Sequence, residues 1–160
     1  GVQRLLDSYV QKQLWQETGG AGFANIQSSY VDRLNTLYGV PGSTTSLTGQ
    51  FNTFKQKLAV LQASPASIAV RSDVISSAKL LANKIGLISD GIKDIRQAAE
   101  DGLSDAVSVA NTALADLAKI NAKFGAQQPD PSLLDQRDRA IRSLSEVMDI
   151  KVTEVGNGRV

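Results

Sequence analysis

The sequence predicts a mainly α-helical protein, an elongated bundle of long antiparallel helices with the start of a β-hairpin at the C-terminus. From residue 64 to residue 124, apolar residues recur at alternating steps of four and three, the spacing of one helix face. A helix of that length would extend on the order of 90 Å at ~1.5 Å per residue, so the other helices are expected to lie along it. Near the C-terminus, the alternation of residues 150–152 ahead of a Gly-Asn-Gly turn predicts a strand.

Composition excludes several classes of function. The net charge is +1 with Lys and Arg scattered among Asp and Glu, so there is no basic face for binding nucleic acid. No run approaches the ~20 apolar residues that a membrane span needs. Cysteine and histidine are both absent, which excludes the usual zinc sites, haem ligation, Cys nucleophiles and Ser–His–Asp triads.

The first helical region is expected over residues 3–38. A Gly-rich stretch, residues 19–22, interrupts it, and each Gly costs roughly 1 kcal/mol relative to Ala in a helix interior. We expect a weakened but continuous helix, with packing against a neighbour overriding this cost. Its apolar face is predicted to comprise Leu6, Val10, Leu14, Phe23, Ile26, Tyr30, Leu34 and Leu37.

A loop over residues 39–43 ends this helix, and the Ser/Thr residues that follow offer N-caps. The second helix is predicted from about Leu47 to about Ala63. The connection to the long helix is very short, so these two helices are expected to be antiparallel neighbours or to meet at a sharp corner.

The long helix is expected to start with Ser64 as N-cap and Pro65 in its first position, and to stop at Gly125. A kink, or the fastest amide exchange, is predicted between Ala99 and Leu103, where Gly102 follows two acidic residues. The predicted apolar positions are Val74, Ala78, Leu81, Ile85, Ile88, Ile92, Ile95 and Ala99, followed by Leu103, Val107, Ala110, Leu114, Leu117 and Phe124.

The last helix is predicted over residues 132–148, capped by Asp130 or Ser132. Its inward face should carry Leu134, Ile141, Leu144 and Met148, with one gap filled by Arg137 or Asp138. The stem of Arg137 must run along the apolar face. We expect its guanidinium to fasten this helix to a neighbouring helix or to the β-region; the alternative is that it only reaches water.

Few residues are candidates for chemistry. Trp15 lies off the apolar face and could be a contact residue, although packing on a neighbouring helix is the stronger expectation. An acidic stretch in the long helix is expected to be a solvated face, because no Asp-x-Asp-x-Asp-Gly loop for calcium is present. It comprises Asp90, Asp94, Glu100, Asp101 and Asp105. We therefore predict no catalytic, cofactor-binding or metal-ligating residues.

One six-residue motif carries a family resemblance. The residues Leu-Leu-Asp-Gln-Arg-Asp at 133–138, with Leu144-Ser145-Glu146 and the segment 150–152 after them, resemble the flagellar hook-associated protein 1 family. The opening residues 1–4 with Asp7 and Gln13-Leu14, and Ser64-Pro65 ahead of residues 69–71, are also similar to that family. The matches follow the family's order along essentially the whole chain.

The resemblance implies a structural subunit of the bacterial flagellum that joins hook to filament outside the cell, with no catalysis. Its implied partners are the hook protein, a neighbouring junction protein and further copies of itself, and an export chaperone through segments beyond this chain. We expect residues 1–148 to be a rod-like helical core domain, residues 149–160 to begin a truncated β domain, and the chain to be an elongated, monomeric fragment. The alternatives are a helical sensor or signalling bundle and, less favoured, an enzyme with carboxylate chemistry.

Overall fold

A computed structural model describes residues 8–124 and 130–160, and helices dominate it, as predicted. The helices are α1 (Ser8–Tyr38), α2 (Leu47–Ala63), α3 (Ile68–Lys123) and α4 (Pro131–Val147). The chain divides into two compact units: unit 1 comprises Gly1–Gln27 and Glu100–Val160, and unit 2 comprises Ser28–Ala99. The predictions for residues 1–7, including Leu6 and the start of the first helix, and for the stop at Gly125 lie outside the described residues.

Unit 2 contains α2 and the adjoining parts of α1 and α3. Ser46 caps α2: its side-chain oxygen accepts a hydrogen bond from the N–H of Gly49 at 3.0 Å, as the Ser/Thr run predicted. Helices α2 and α3 approach each other beside their short connection, where Lys57 and Asp73 form an ion pair of 2.7 Å. The predicted start of α3 is wrong. Ser64 ends α2 by donating its N–H to the carbonyls of Val60 and Leu61, and α3 begins only at Ile68.

Gly49 lies where the loop before α2 folds back against the first turn of the helix. A Cβ at this position would overlap the backbone carbonyl oxygen of Ser43. We therefore expect Gly49→Ala to lower the free energy of unfolding by about 1–3 kcal/mol, because the capping loop must move. Gly86→Ala is the matched control: its Cβ would meet nothing within 4 Å. It should raise stability by about 0.5–1 kcal/mol, the ordinary helix preference of Ala over Gly.

Urea unfolding followed by far-UV circular dichroism measures both variants. Both positions belong to unit 2, so the comparison concerns one unit. Changes of the same sign in the two variants would contradict the close approach of Ser43 to Gly49.

Unit 1 has the better-defined core. Trp15 on α1, with 4% of its surface exposed, packs with Ala113 and Leu117 on α3 and with Ile141 and Leu144 on α4. The expectation that Trp15 packs on neighbouring helices is therefore confirmed.

The predicted apolar face of α1 is wrong in this unit, because Trp15 fills the space between the helices and turns the neighbouring apolar positions outward. Four of the predicted core residues are more than half exposed: Val10, Leu14, Phe23 and Ile26.

Helix α3 runs through Gly86, Gly91 and Gly102 as one α-helix. Its inward face in unit 1 is lined mostly by small residues, Ala106, Ala110 and Ala113, followed by larger ones from Leu117 onward. Three predicted core residues of this part are instead exposed, namely Leu103, Val107 and Leu114. Small inward side chains let neighbouring backbones approach closely, and this favours the alanine face over the leucine face. In unit 2, Ile88 is buried as predicted, whereas Ile85 is exposed.

Residues 99–105 of α3 are all exposed, and Gly102 is among them. Two turns of helix in which every residue is exposed should open more readily than the partly buried turns on either side. We therefore expect the fastest amide hydrogen exchange within α3, apart from its fraying ends, at residues 99–105. Hydrogen exchange by mass spectrometry measures this, and Gly102→Ala should slow it, because no atom lies within 4 Å of the new Cβ. Uniformly slow exchange from residue 90 to residue 115 would contradict the prediction.

The predicted β-hairpin is not formed in the described part of the chain. Asn157 and Gly158 both have positive φ, as a type I′ hairpin turn requires, but pairing ends at a single bridge between Gly156 and Arg159. Directly after this bridge, the backbone of Val160 hydrogen-bonds the side chain of Asn121 on α3. Ile150 and Val152 do point inward as their alternation predicted, but they pack on the helical core rather than in a sheet.

Candidate functional site

Helix α4 positions a buried charged pair inside unit 1. Asp130 caps the helix by accepting a hydrogen bond from the N–H of Ser132 at 2.9 Å, and Pro131 occupies the first turn. The inward face carries Ile141 and Leu144, which are 1% and 7% exposed, whereas the predicted Met148 is 47% exposed at the end of the helix. One turn before Ile141, the same face presents Arg137 and Asp138.

Arg137 and Asp138 form an ion pair that is almost completely buried, with 6% and 5% of each residue exposed. The Nε and Nη2 atoms of Arg137 donate to Oδ1 of Asp138 at 2.9 and 2.8 Å. The third guanidinium nitrogen, Nη1, donates to the carbonyl oxygen of Gly158 at 2.8 Å and to Glu154 at 3.3 Å. The guanidinium therefore joins α4 to the C-terminal turn, defined here as residues 155–160.

The pair also reaches α1. The second carboxylate oxygen of Asp138 accepts a hydrogen bond from the side-chain amide of Gln11 at 2.9 Å. A buried charge is tolerated only when it is paired and its remaining lone pairs are satisfied, and the two oxygens of Asp138 meet this condition from two directions. Arg137 and Asp138 thus connect α1, α4 and the C-terminal turn through one continuous set of hydrogen bonds.

Two further contacts fasten the C-terminal turn to the end of α3. The amide side chain of Asn121 donates to the carbonyl of Val160 at 2.8 Å and accepts from its N–H at 3.3 Å. Arg159 donates to the carbonyl oxygen of Phe124 at 2.8 Å, and so satisfies a backbone acceptor just after the last turn of α3. Together with Arg137, these contacts fix the path of the chain as it leaves α4.

This arrangement holds the parts of unit 1 together. Arg137 and Asp138 form hydrogen bonds with each other and with backbone and side-chain partners inside the unit. The expectation that the guanidinium of Arg137 finds an acceptor in the region after α4 is confirmed, and the gap in the apolar face was the signal for it. Sequence reasoning missed Gln11, Asn121 and Arg159, because single polar residues at half-buried or exposed positions carry no periodic signal.

The acidic stretch of α3 is not gathered into a site. Asp90, Asp94, Glu100, Asp101 and Asp105 are all exposed, as expected for a solvated face. Lys93 forms an ion pair with Asp90 at 2.8 Å, and this hydrogen bond raises the pKa of Lys93. Among the described residues, no group of three or more acidic side chains could hold a metal ion.

Comparison with known protein families identifies the family of this chain. The family model described as the flagellar hook-associated protein FlgK helical domain matches residues 31–160. The chain belongs to this family. The matched range contains Arg137, Asp138, Asn121 and the C-terminal turn. Gln11 and Trp15, on the earlier part of α1, lie outside it.

Individual relatives of the chain are distant in sequence but cover nearly all of it. The chain is 24% identical to flagellar hook-associated protein 1 of Salmonella typhimurium over 99% of its length, and 25% identical to that of Bacillus subtilis over 95%. It spans only 29% and 31% of those two proteins. No solved structure gives a significant match. Within the described helices, none is long and apolar enough to cross a membrane.

Proposed function

We propose that this chain is the helical part of a structural subunit of the bacterial flagellum, located outside the cell where the hook joins the filament. The observation that carries the proposal is the match of the FlgK helical domain over residues 31–160. The relatives that match 95–99% of the chain are named flagellar hook-associated protein 1, which supports the same role. In this role the subunit works mechanically and catalyses no reaction.

The geometry of unit 1 suits such a role. A subunit between two tubes must keep its segments in fixed directions under load, and the Arg137–Asp138 pair and Asn121 hold the segment after α4 against α3 and α4. We propose that residues 149–160 lead from the helical domain into a further domain of the parent protein. The proposed partners are the hook protein, a neighbouring junction protein and further copies of the same subunit, and an export chaperone that binds other segments of the parent protein. We propose that the isolated 160 residues are monomeric at micromolar concentration.

No observation favours the alternative of a helical sensor or signalling bundle, because the family matched is named for the flagellum. A carboxylate enzyme has no more support, since the acidic residues of α3 stay on an exposed face.

The proposal is tested by replacing the corresponding segment of the Bacillus subtilis protein with this chain. Cells that lack their own hook-associated protein 1 should regain attached filaments when they produce the chimera. The unaltered B. subtilis protein is the positive control, and immunoblotting of the culture medium checks export. A chimera that is stable and exported but leaves the filaments detached would show the proposal to be wrong.

A further inference from the structure

Unit 1 contains an apolar groove that its own side chains do not fill. The groove lies between residues 16–26 of α1, residues 102–109 of α3 and residues 146–149 at the end of α4, and encloses about 820 Å³. Glycines line part of it: a Cβ at Gly20 or Gly102 would meet nothing within 4 Å. At Gly19 a Cβ would come 3.4 Å from the carbonyl oxygens of Ser145 and Met148, so the glycine lets the end of α4 lie close to α1.

The side chains around the groove specify what could enter it. Four apolar residues there are 40–70% exposed, namely Phe23, Ile26, Val109 and Met148. Among the described residues that line the groove, the charged side chains are all carboxylates: Asp105, Glu146 and Asp149. Exposed apolar side chains inside an acidic rim suit an amphipathic helix whose apolar face carries a Lys or Arg.

Helix α2 of this same chain has that chemistry. None of its residues is buried. Phe51, Lys55 and Leu58 are all exposed, and their spacing of four and three places them on one face. The sequence charges of the two units are also opposite. Unit 2, which contains α2, has eight Lys and Arg against four Asp and Glu, or +4, and unit 1 has nine against twelve, or −3.

We propose that the groove of one copy receives α2 of a second copy. Phe51 and Leu58 enter the space lined by the glycines of α1, and Lys55 faces the carboxylates of Asp105, Glu146 and Asp149. This inference deepens the proposed structural role, on which it rests, by naming one surface between neighbouring copies. Because the two surfaces differ, the contact is heterologous, and its repetition links copies into a ring or a filament.

The contact is weak between free chains. One face of a 17-residue helix covers much less than the roughly 1,200–2,000 Å² that stable complexes bury. Neighbours already held side by side in an assembly have a high effective concentration, which makes such a contact significant. Opposite charges on the two surfaces orient the approach.

Disulfide trapping tests the contact well, because the chain has no cysteine of its own. One copy carries Gln16→Cys, at a position that lines the groove. A second copy with a different tag carries Gln62→Cys, at a position on the same face of α2 as Phe51 and Leu58. The control replaces the second variant with Gln56→Cys, which is exposed on another face of α2. All three changes leave the charges intact. At sub-millimolar concentration, we expect the mixed disulfide to form about tenfold faster with Gln62→Cys than with Gln56→Cys.

Exchanging the charges of the two surfaces shows whether a loss of cross-linking comes from a broken contact or from a damaged fold. Lys55→Glu in the α2 copy should bring cross-linking down to the level of the control, and Glu146→Lys in the groove copy should restore it. Equal cross-linking from Gln62→Cys and Gln56→Cys, or no restoration by the second exchange, would overturn the proposal. If cross-linking fails while the chimera restores filament attachment, the groove does not receive α2, and the proposed structural role stands.

Discussion

Trp15→Ala is expected to lower the free energy of unfolding of unit 1 by about 3–5 kcal/mol, the usual cost of removing a buried tryptophan side chain. Trp15 is 4% exposed and packs with residues of both α3 and α4, so its loss leaves a cavity where the three helices meet. Urea unfolding followed by far-UV circular dichroism measures the change, since the variant lacks the only tryptophan.

Leu14→Ala is the matched control, one residue earlier on the same helix. Leu14 is 53% exposed, so the expected change is within about 0.5 kcal/mol. The apolar spacing alone places Leu14 on the inward face of the helix and Trp15 off it. A larger loss from Leu14→Ala than from Trp15→Ala would therefore contradict the face of α1 that the structure shows.

Arg137→Ala should cost about 2–4 kcal/mol, because it removes the cation from a buried pair. The carboxylate of Asp138, 5% exposed, loses two hydrogen bonds from the guanidinium, and the carbonyl of Gly158 loses its donor. The contact with Glu154 contributes little to this cost, since that side chain is 47% exposed. Arg137→Lys should recover part of the loss, because an ammonium keeps the charge but cannot reproduce the planar fork.

Arg139→Ala serves as the control on the exposed side of α4, where the expected cost is under about 0.5 kcal/mol. Trp15 is the only tryptophan and lies in the same unit, so its fluorescence follows unfolding of both variants in urea. Equal small losses from the two arginine variants would reject the idea that Arg137 holds unit 1 together.

The order, type and approximate limits of the helices could be predicted from the sequence, because the spacing of three and four residues is a local property of a helix. Which face of a helix turns inward could not be predicted as well. Helix α3 carries two apolar stripes in unit 1, and the stripe of alanines faces the core while Leu103, Val107 and Leu114 face outward. Larger side chains make a stronger hydrophobic pattern, but only the partner helices decide how much room is available.

The C-terminal segment shows a second limit of this kind. Its alternation and its Asn157-Gly158 turn are the local signals of a hairpin, and both are present in the structure. Strand pairing also requires a partner strand, which these local signals do not supply, and the backbone of Val160 is hydrogen-bonded to Asn121 on α3.

Arg137 was predictable because it breaks an apolar stripe at a position that must face inward. Gln11, which satisfies the other oxygen of Asp138, lies 127 residues away in sequence, and no local pattern connects the two.

The attachment of the C-terminal turn has a consequence for how tension enters the molecule. A pull on Val160 first loads its hydrogen bond to Asn121 on α3. If that bond breaks, Arg159 still holds the segment to the carbonyl of Phe124, and Arg137 still holds Gly158 to α4. Because these links attach at three consecutive residues and lead to two different helices, the segment detaches only after all three have broken.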